Sequence, residues 1–372
     1  MDTYQEKTSP ELITRKYTVY YVVAAFIVAI VAIVVIFVGF YVVQNKALLP
    51  ETDNSAVGGI KDSDRGIPIE KDAQFNISGS LHLTLLPKNE SKLVNTYTYD
   101  INSAEFKSIQ LAQGLNMTTK VSPNGDRLAF ARYGGDEVMH IFVTDQERKD
   151  FKRISKNKLS FKREPTWSPD GSSIAYVAFE EDGSDAHDPE GWQVYVADTR
   201  SGDTKKDERL ITRGYNPIFS PDGNSLLLIK NEGLYLYDLT QNKEPEKVWG
   251  VLGGEDSGSH MHSHMKLSLS HDAKTLAWSD HHKLPNGGLT LFSITSWSPF
   301  SIEVKKQIDN YIIYNIFSPD DKYLAVQVAD EALDGQLING RVLVYNLDTF
   351  DFKNILDLRG FNVDFMWLTD WR

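Results

Sequence analysis

The chain has 372 residues, of which 41% are hydrophobic and 11% aromatic, enough to bury a large core and to exclude wholesale disorder. It contains no cysteine, which rules out a disulfide framework, an iron–sulfur cluster, a thiolate zinc site and a cysteine nucleophile, so any metal must be held by His or carboxylate groups. Lys and Arg number 39 against 51 for Asp and Glu, a formal net charge of −12 that repels a phosphate backbone and argues against a nucleic-acid partner.

In chain order, residues 1–16 read as a short cytoplasmic segment and residues 17–44 as a transmembrane helix acting as a signal anchor. From Tyr17 to Asn45 there is no charged residue, and Val19 to Val43 is almost wholly apolar. At about 1.5 Å per residue that stretch exceeds a hydrocarbon core of about 30 Å. A cleaved signal peptide needs a shorter apolar region and a small-residue cleavage site, and neither is present. Lys7, Arg15 and Lys16 precede the span, whereas Lys46 after it is soon followed by Glu51 and Asp53. The positive-inside bias therefore predicts a single-pass membrane protein with its N-terminus in the cytoplasm and the remainder outside. Residues 45–73 are polar, rich in Gly, Asp and Ser, without periodicity, and read as a flexible stalk.

The rest is organised by a repeat. Ser122-Pro123-Asn124-Gly125, Ser168-Pro169-Asp170-Gly171, Ser220-Pro221-Asp222-Gly223, Ser270-His271-Asp272-Ala273 and Ser318-Pro319-Asp320-Asp321 recur with a period of about 50, the signature of a solenoid or propeller. Proline presets φ for a turn, Asp or Asn suits its next position, and glycine supplies a left-handed residue, so each copy predicts a hairpin tip. Ala273 and Asp321 stand where glycine is expected, and these two turns are expected to be looser. Before each tip lies a short strand, and after it an alternating one such as Leu128 and Phe130. A third strand ends in Asp or Asn (Asp145, Asp198, Asp238, Asn346), and a weaker fourth follows. Four antiparallel strands per repeat make a propeller blade. Five units are complete. Three strands near Ser80–Leu86, Leu93–Asp100 and Phe106–Ile109, with a C-terminal strand over residues 362–370, complete a sixth. The predicted fold is all-β: a six-bladed propeller over residues 74–372, closed by its last strand and preceded by the one transmembrane helix.

The Ser-Pro-Asp-Gly tip, preceded by Trp or Phe and followed by an alternating strand, resembles the repeat of the TolB-type, WD-repeat-like propeller family. The resemblance implies this fold and leaves function open. Relatives include periplasmic binding components, propeller domains of dipeptidyl-peptidase-like enzymes and some metal-dependent polysaccharide lyases. The chain departs from the first in showing an anchor and stalk where an α/β domain is expected, and from the second in offering no room for a hydrolase domain.

No Gly-x-Ser-x-Gly elbow, phosphate-binding Gly-rich loop or His-Glu-x-x-His motif occurs, so no catalytic residue is assigned. The feature that stands out is histidine placement. His260, His262 and His264 alternate on a segment joining two blades, and His282, beside His281, lies on a second-to-third-strand loop. Both segments are expected on the face opposite the tips, where imidazoles suit Zn²⁺, Mn²⁺ or Ni²⁺. The same Gly- and Ser-rich segment also reads as a solvated loop. The acidic run Glu180–Glu190 lacks the spacing of an EF-hand. The expectation is a non-enzymatic module that binds a protein, peptide or cell-envelope ligand through long loops near residues 133–138, 180–190, 254–264, 280–288 and 329–340. The alternative is a metal-dependent lyase or hydrolase acting on a polysaccharide through the histidines. Elemental analysis of purified, tag-free protein separates the two: stoichiometric divalent metal at neutral pH supports the alternative, and substoichiometric metal dismisses the histidine site.

Overall fold

A computed structural model describes residues 75–372 apart from 88–94, 110–115, 135–137, 148, 180–190, 201–207, 231–232, 242, 251–265, 281–287, 311, 334–335 and 359–362. The expected span at 17–44 and stalk at 45–73 lie outside the described residues. Among the described residues no helix is long and apolar enough to cross a membrane.

The described chain forms six antiparallel sheets of four strands. Blade 1 contains β4 (Asn116–Val121), β5 (Arg127–Tyr133), β6 (Met139–Asp145) and β7 (Lys152–Arg153). Blade 2 contains β8 (Phe161–Trp167), β9 (Ser173–Phe179), β10 (Gln193–Asp198) and β11 (Glu208–Arg213). In blade 3 these are β12 (Tyr215–Phe219), β13 (Ser225–Lys230), β14 (Gly233–Asp238) and β15 (Glu246–Gly250), and in blade 4 β16 (Lys266–Leu269), β17 (Thr275–Asp280), β18 (Gly288–Trp297) and β19 (Phe300–Ile308). Blade 5 contains β20 (Ile312–Phe317), β21 (Tyr323–Leu333), β22 (Gln336–Asn346) and β23 (Phe352–Asp357). Blade 6 joins β1 (Ser80–Pro87), β2 (Asn95–Asp100) and β3 (Glu105–Ile109) to β24 (Val363–Trp371), in the order β24-β1-β2-β3. The first strands β4, β8, β12, β16, β20 and β24 each contact the next, and β24 contacts β4. They therefore line the axis of a closed ring.

Closure is a matter of register. Leu83 on β1 pairs with Leu368 on one side and Tyr97 on the other. The seam is tight at Gly79, whose φ is +104° and where a Cβ would fall 2.4 Å from the Arg372 carbonyl oxygen. Core residues such as Val177, Leu228, Leu276, Trp278 and Phe292 fill the space between blades 2, 3 and 4.

Each tip is locked by its serine. The hydroxyl donates to the Asn or Asp two residues on, at 2.9, 2.7, 2.6, 2.7 and 2.7 Å for Ser122, Ser168, Ser220, Ser270 and Ser318. The same oxygen accepts the N–H of the first residue of the next strand (Arg127, Ser173, Ser225, Thr275, Tyr323) at 2.8–2.9 Å. The fourth tip residue is left-handed in every copy: φ is +81°, +67° and +73° at Gly125, Gly171 and Gly223, and +56° and +55° at Ala273 and Asp321.

Those last two turns are not looser. Their closing N–H to serine carbonyl bonds measure 2.9 and 3.0 Å, like the 2.8–2.9 Å of the glycine tips. The departure is stored as backbone strain, and at Asp321 it is compensated. In the second and third tips the fourth residue faces the proline of the preceding tip: a Cβ on Gly171 or Gly223 would sit 3.9 or 3.7 Å from Cδ of Pro123 or Pro169. Between blades 4 and 5 that proline is His271, which has an N–H to give. The Asp321 carboxylate accepts from the backbone N–H groups of His271 and Asp272, both at 2.8 Å, and lies 2.9 Å from His271 Nδ1.

The 329–340 segment, expected as a loop, is instead the end of a hairpin. Its backbone continues β21 and β22, with Asp330 opposite Ile338 and Leu333 opposite Gln336 across register shifts. The third strand of blade 4, β18, escapes the Asp-terminated pattern because Ser293 stands at that position and the strand runs on to Trp297.

An L-residue in the left-handed region costs about 1–2 kcal/mol, offset in part by the greater unfolded-state freedom of glycine. Ala273→Gly is therefore expected to raise stability by about 0.5–1 kcal/mol. Asp321→Gly relieves the same strain but removes three contacts to the neighbouring tip, so it should lower the urea unfolding midpoint where Ala273→Gly raises it.

Candidate functional site

The ten tip residues singled out in the sequence (Pro123, Gly125, Pro169, Asp170, Gly171, Pro221, Asp222, Gly223, Pro319, Asp320) sit in the turns between first and second strands, on one face of the ring. Hydrogen bonds from Ser168 and from the Ser172 N–H hold Asp170 down at about 2, and similar bonds keep Asp222 below the ordinary carboxylate range. These groups build turns. His260, His262, His264 and His282 lie outside the described residues, as do His187, His281 and the acidic run 180–190. Among the described residues no group of three His or carboxylate side chains gathers to hold a metal.

Sequence reasoning missed the axis. Four residues before the tip serine stand Thr118, Glu164, Asn216, Lys266 and Tyr314, polar in all five complete repeats. In blades 1, 2 and 3 the first strand slips register there, between Met117 and Lys120, Arg163 and Thr166, and Tyr215 and Ile218. Thr118, Glu164 and Asn216 take φ of +50°, +55° and +51°, and all three are buried. Non-glycine residues in this region survive only where surrounding structure over-determines them. The Glu164 N–H donates to Thr118 Oγ1 at 3.2 Å, tying one such residue to the next.

The charged groups from different blades meet across the axis. Lys266 Nζ of blade 4 lies 3.3 Å from Glu164 Oε2 of blade 2, an ion pair in which the carboxylate side chain is 4% exposed. The Lys120 ammonium of blade 1 donates to the Thr369 carbonyl of blade 6. Asp370 of blade 6 accepts from the Val121 N–H at 3.1 Å and from Arg372 Nε at 3.2 Å. Tyr314 of blade 5 is hydrogen-bonded to Trp367 and feels the charges of Glu164 and Arg163. Arg163 stacks its guanidinium 4.0 Å from the centroid of Trp192, a cation–π contact. Lys162, fully buried, donates to the Leu159 carbonyl.

The electrostatics follow from enclosure. Burial holds Lys120 down at about 8, with Asp370 and Glu164 opposing the shift and Lys266 and Arg372 adding to it. Burial alone would raise Asp370, but Lys120, Arg372 and His82 together with the Val121 N–H outweigh it and hold the carboxyl below its ordinary value. His82 is pushed down, chiefly by burial and against the pull of Asp370. Tyr314 is raised by burial and by Glu164. Chemically the arrangement is a set of fixed charges and donors on a rigid ring.

Residues 86–251 match the family model described as the TolB beta propeller domain. Among solved structures the chain is similar to TolB from Acinetobacter baumannii, at 16% identity and a TM-score of 0.54 over 79% of this chain and 66% of that one. It is also similar to a putative TolB from Agrobacterium tumefaciens (14% identity, TM-score 0.50, 76% and 90%) and to Kuenenia stuttgartiensis hydrazine synthase (14%, 0.56, 78% and 46%). At these identities the likeness is one of fold, and the fold is shared by proteins with different work. The protein belongs to the class of six-bladed β-propellers with four-stranded blades. Within that ring, residues 86–251 are the part that matches the TolB beta propeller domain model.

The position of Lys120 has a measurable consequence. Its folded-state value near 8 lies below the ordinary 10.5, so between those limits the unfolded chain binds a proton that the folded side chain has released, and stability rises with pH. The difference in urea midpoint between the native chain and Lys120→Met should therefore shift in favour of the native chain from pH 7.5 to 9.5. A difference that stays flat would place Lys120 near its ordinary value.

Proposed function

We propose that this protein is a non-catalytic binding module, tethered to a membrane by residues 17–44 with the propeller outside the cytoplasm, which captures a protein, peptide or cell-envelope ligand on the face opposite the tips. One observation carries the choice of face. The segment leading into the first strand docks on the tip side. Phe75 stacks on Tyr323 at 6.2 Å, the Asn76 N–H donates to the Tyr323 hydroxyl at 3.1 Å, and Trp371 donates to the Ser78 carbonyl at 3.1 Å. Tyr323 opens the strand that follows the blade 5 tip. The opposite face, where the first strands begin, is left to the second-to-third-strand connections, and binding residues favour such loops on a rigid scaffold.

The TolB-type propeller supports binding as the kind of function, and the axial groups supply donors and charge without a nucleophile-and-base pair. The expectation can be tested with a photo-crosslinking amino acid at Glu180, between β9 and β10, and separately at Asp320 on a tip, in the full chain in its native membrane. Specific adducts should form from position 180 and not from 320. The reverse pattern would move the binding face to the tips.

A further inference from the structure

We propose that the seam between β24 and β1 is an acid-sensitive latch, in which protonation of His82 loosens the closing strand and with it the ring. The ladder of this seam is broken at one place. His82 lies opposite Asp370 and Leu83 opposite Leu368, so Thr369 bulges out of the pairing. Side chains replace the missing ladder bonds. The Thr369 hydroxyl donates to the His82 carbonyl at 3.0 Å, and the Thr369 carbonyl accepts from the Lys120 ammonium. Asp370 is the hub of this repair, accepting from the N–H groups of Val121 and Trp371 at 3.1 Å each and from Arg372 Nε at 3.2 Å.

His82 sits on that repair. Residues directly opposite in an antiparallel pair hold their Cβ atoms about 5 Å apart on one side of the sheet, which sets the imidazole beside the Asp370 carboxylate. His82 is 9% exposed, and its Nδ1 has no hydrogen-bond partner among the described residues. Protonation would place a further N–H and a full charge there with no acceptor waiting. The charged groups that act on the ring are Asp370 and Arg372 of β24 and Lys120 of β4, while Thr98, opposite it on β2, carries no charge. Burial is the main reason the imidazole is held below its ordinary 6.5; Asp370 opposes that shift, and Arg372 and Lys120 add to it. Asp370 is itself held below the ordinary carboxylate range and Lys120 is held at about 8, so His82 is the member of this cluster that changes charge as the pH falls from 7 towards 5. The opened strand then takes up a proton that the closed seam refuses. Closure is favoured in full above 6.5 and is lost as the pH falls through the folded-state value. A charged ring also draws Asp370 away from the Val121 N–H and repels Lys120 from the Thr369 carbonyl, undoing two of the bonds that stand in for the ladder.

The test is hydrogen exchange read by mass spectrometry on the full chain in detergent at pH 7.0 and 5.0, with each rate divided by that of the unstructured peptide so that only opening is compared. The opening constant of the seam, from peptides covering residues 80–87 and 363–371, should rise at least about threefold from pH 7.0 to 5.0, while that of residues 225–238 in blade 3 stays level. In His82→Gln, which keeps an uncharged polar side chain at both values, the rise should vanish. Lys120→Met loosens the seam at both pH values through the lost bond to Thr369, but it removes one of the opposing cations and should lessen the ratio between them. If His82→Gln does not fold, the native chain labelled with carbon-13 in its histidine rings decides: a His82 ring that titrates below 6.5 in step with seam opening supports the latch. A ring that titrates at or above 6.5, a rise that persists in His82→Gln, or blade 3 opening in step with the seam would overturn it.

Discussion

The structure depends on one seam, the pairing of β24 with β1. It joins residues very far apart in the chain, as in the hydrogen bond from Thr369 Oγ1 to the His82 carbonyl across a separation of 287. Bringing such ends together costs roughly 5 kcal/mol of chain entropy beyond a constant term. The seam returns that cost by pairing two strand edges that would otherwise be open to other chains. It also builds the axis. Trp367, Thr369, Asp370 and Arg372 all arrive on or beside the closing strand, and without them Lys120 would have neither its carbonyl nor its nearby carboxylate. Closure of the ring and assembly of the axial site are thus the same event.

Much of this architecture was legible because a hairpin tip leaves a chemical signature. Serine, proline, Asp and glycine each have a separate reason to be there, and five copies at an even period leave little freedom in the fold. The split sixth blade followed from counting strands. The axial site was not legible by the same route, because first strands were read for their last apolar residue, such as Trp167 or Phe317, and not for their middles. A signal was present: a polar residue four positions before every tip serine. It means little without the ring, since only the closed structure turns five separate strand positions into neighbours. The expected metal ligands pose the opposite difficulty, being conspicuous as a sequence cluster but falling on segments outside the described residues.

The tip departures show why a motif position should be read together with its neighbour. Glycine to Asp at 321 and proline to His at 271 look like two independent losses. In the ring they meet, because the fourth residue of a tip faces the second residue of the preceding one, as Gly171 faces Pro123 and Gly223 faces Pro169. Proline has no N–H and glycine no side chain, so the common pairing makes only a packing contact. His271 and Asp321 replace it with hydrogen bonds and accept a strained backbone in return. Ala273 has the strain without that compensation.

The axial charges run against the ordinary economics of a core. Pairs such as Glu164 and Lys266 gain little net stability over well-packed apolar side chains, and the left-handed Thr118, Glu164 and Asn216 add strain. A ring meant only to be stable would fill its axis with aliphatic groups, as its blade interfaces do with Leu228, Leu276 and Val326. Polar groups held at strained positions are what pre-organised recognition requires, since their ordering is completed during folding and not at binding. The overall charge acts outside the ring. A chain with a formal net charge of −12 repels anions at a distance, and screening confines that repulsion to about 8 Å at physiological salt.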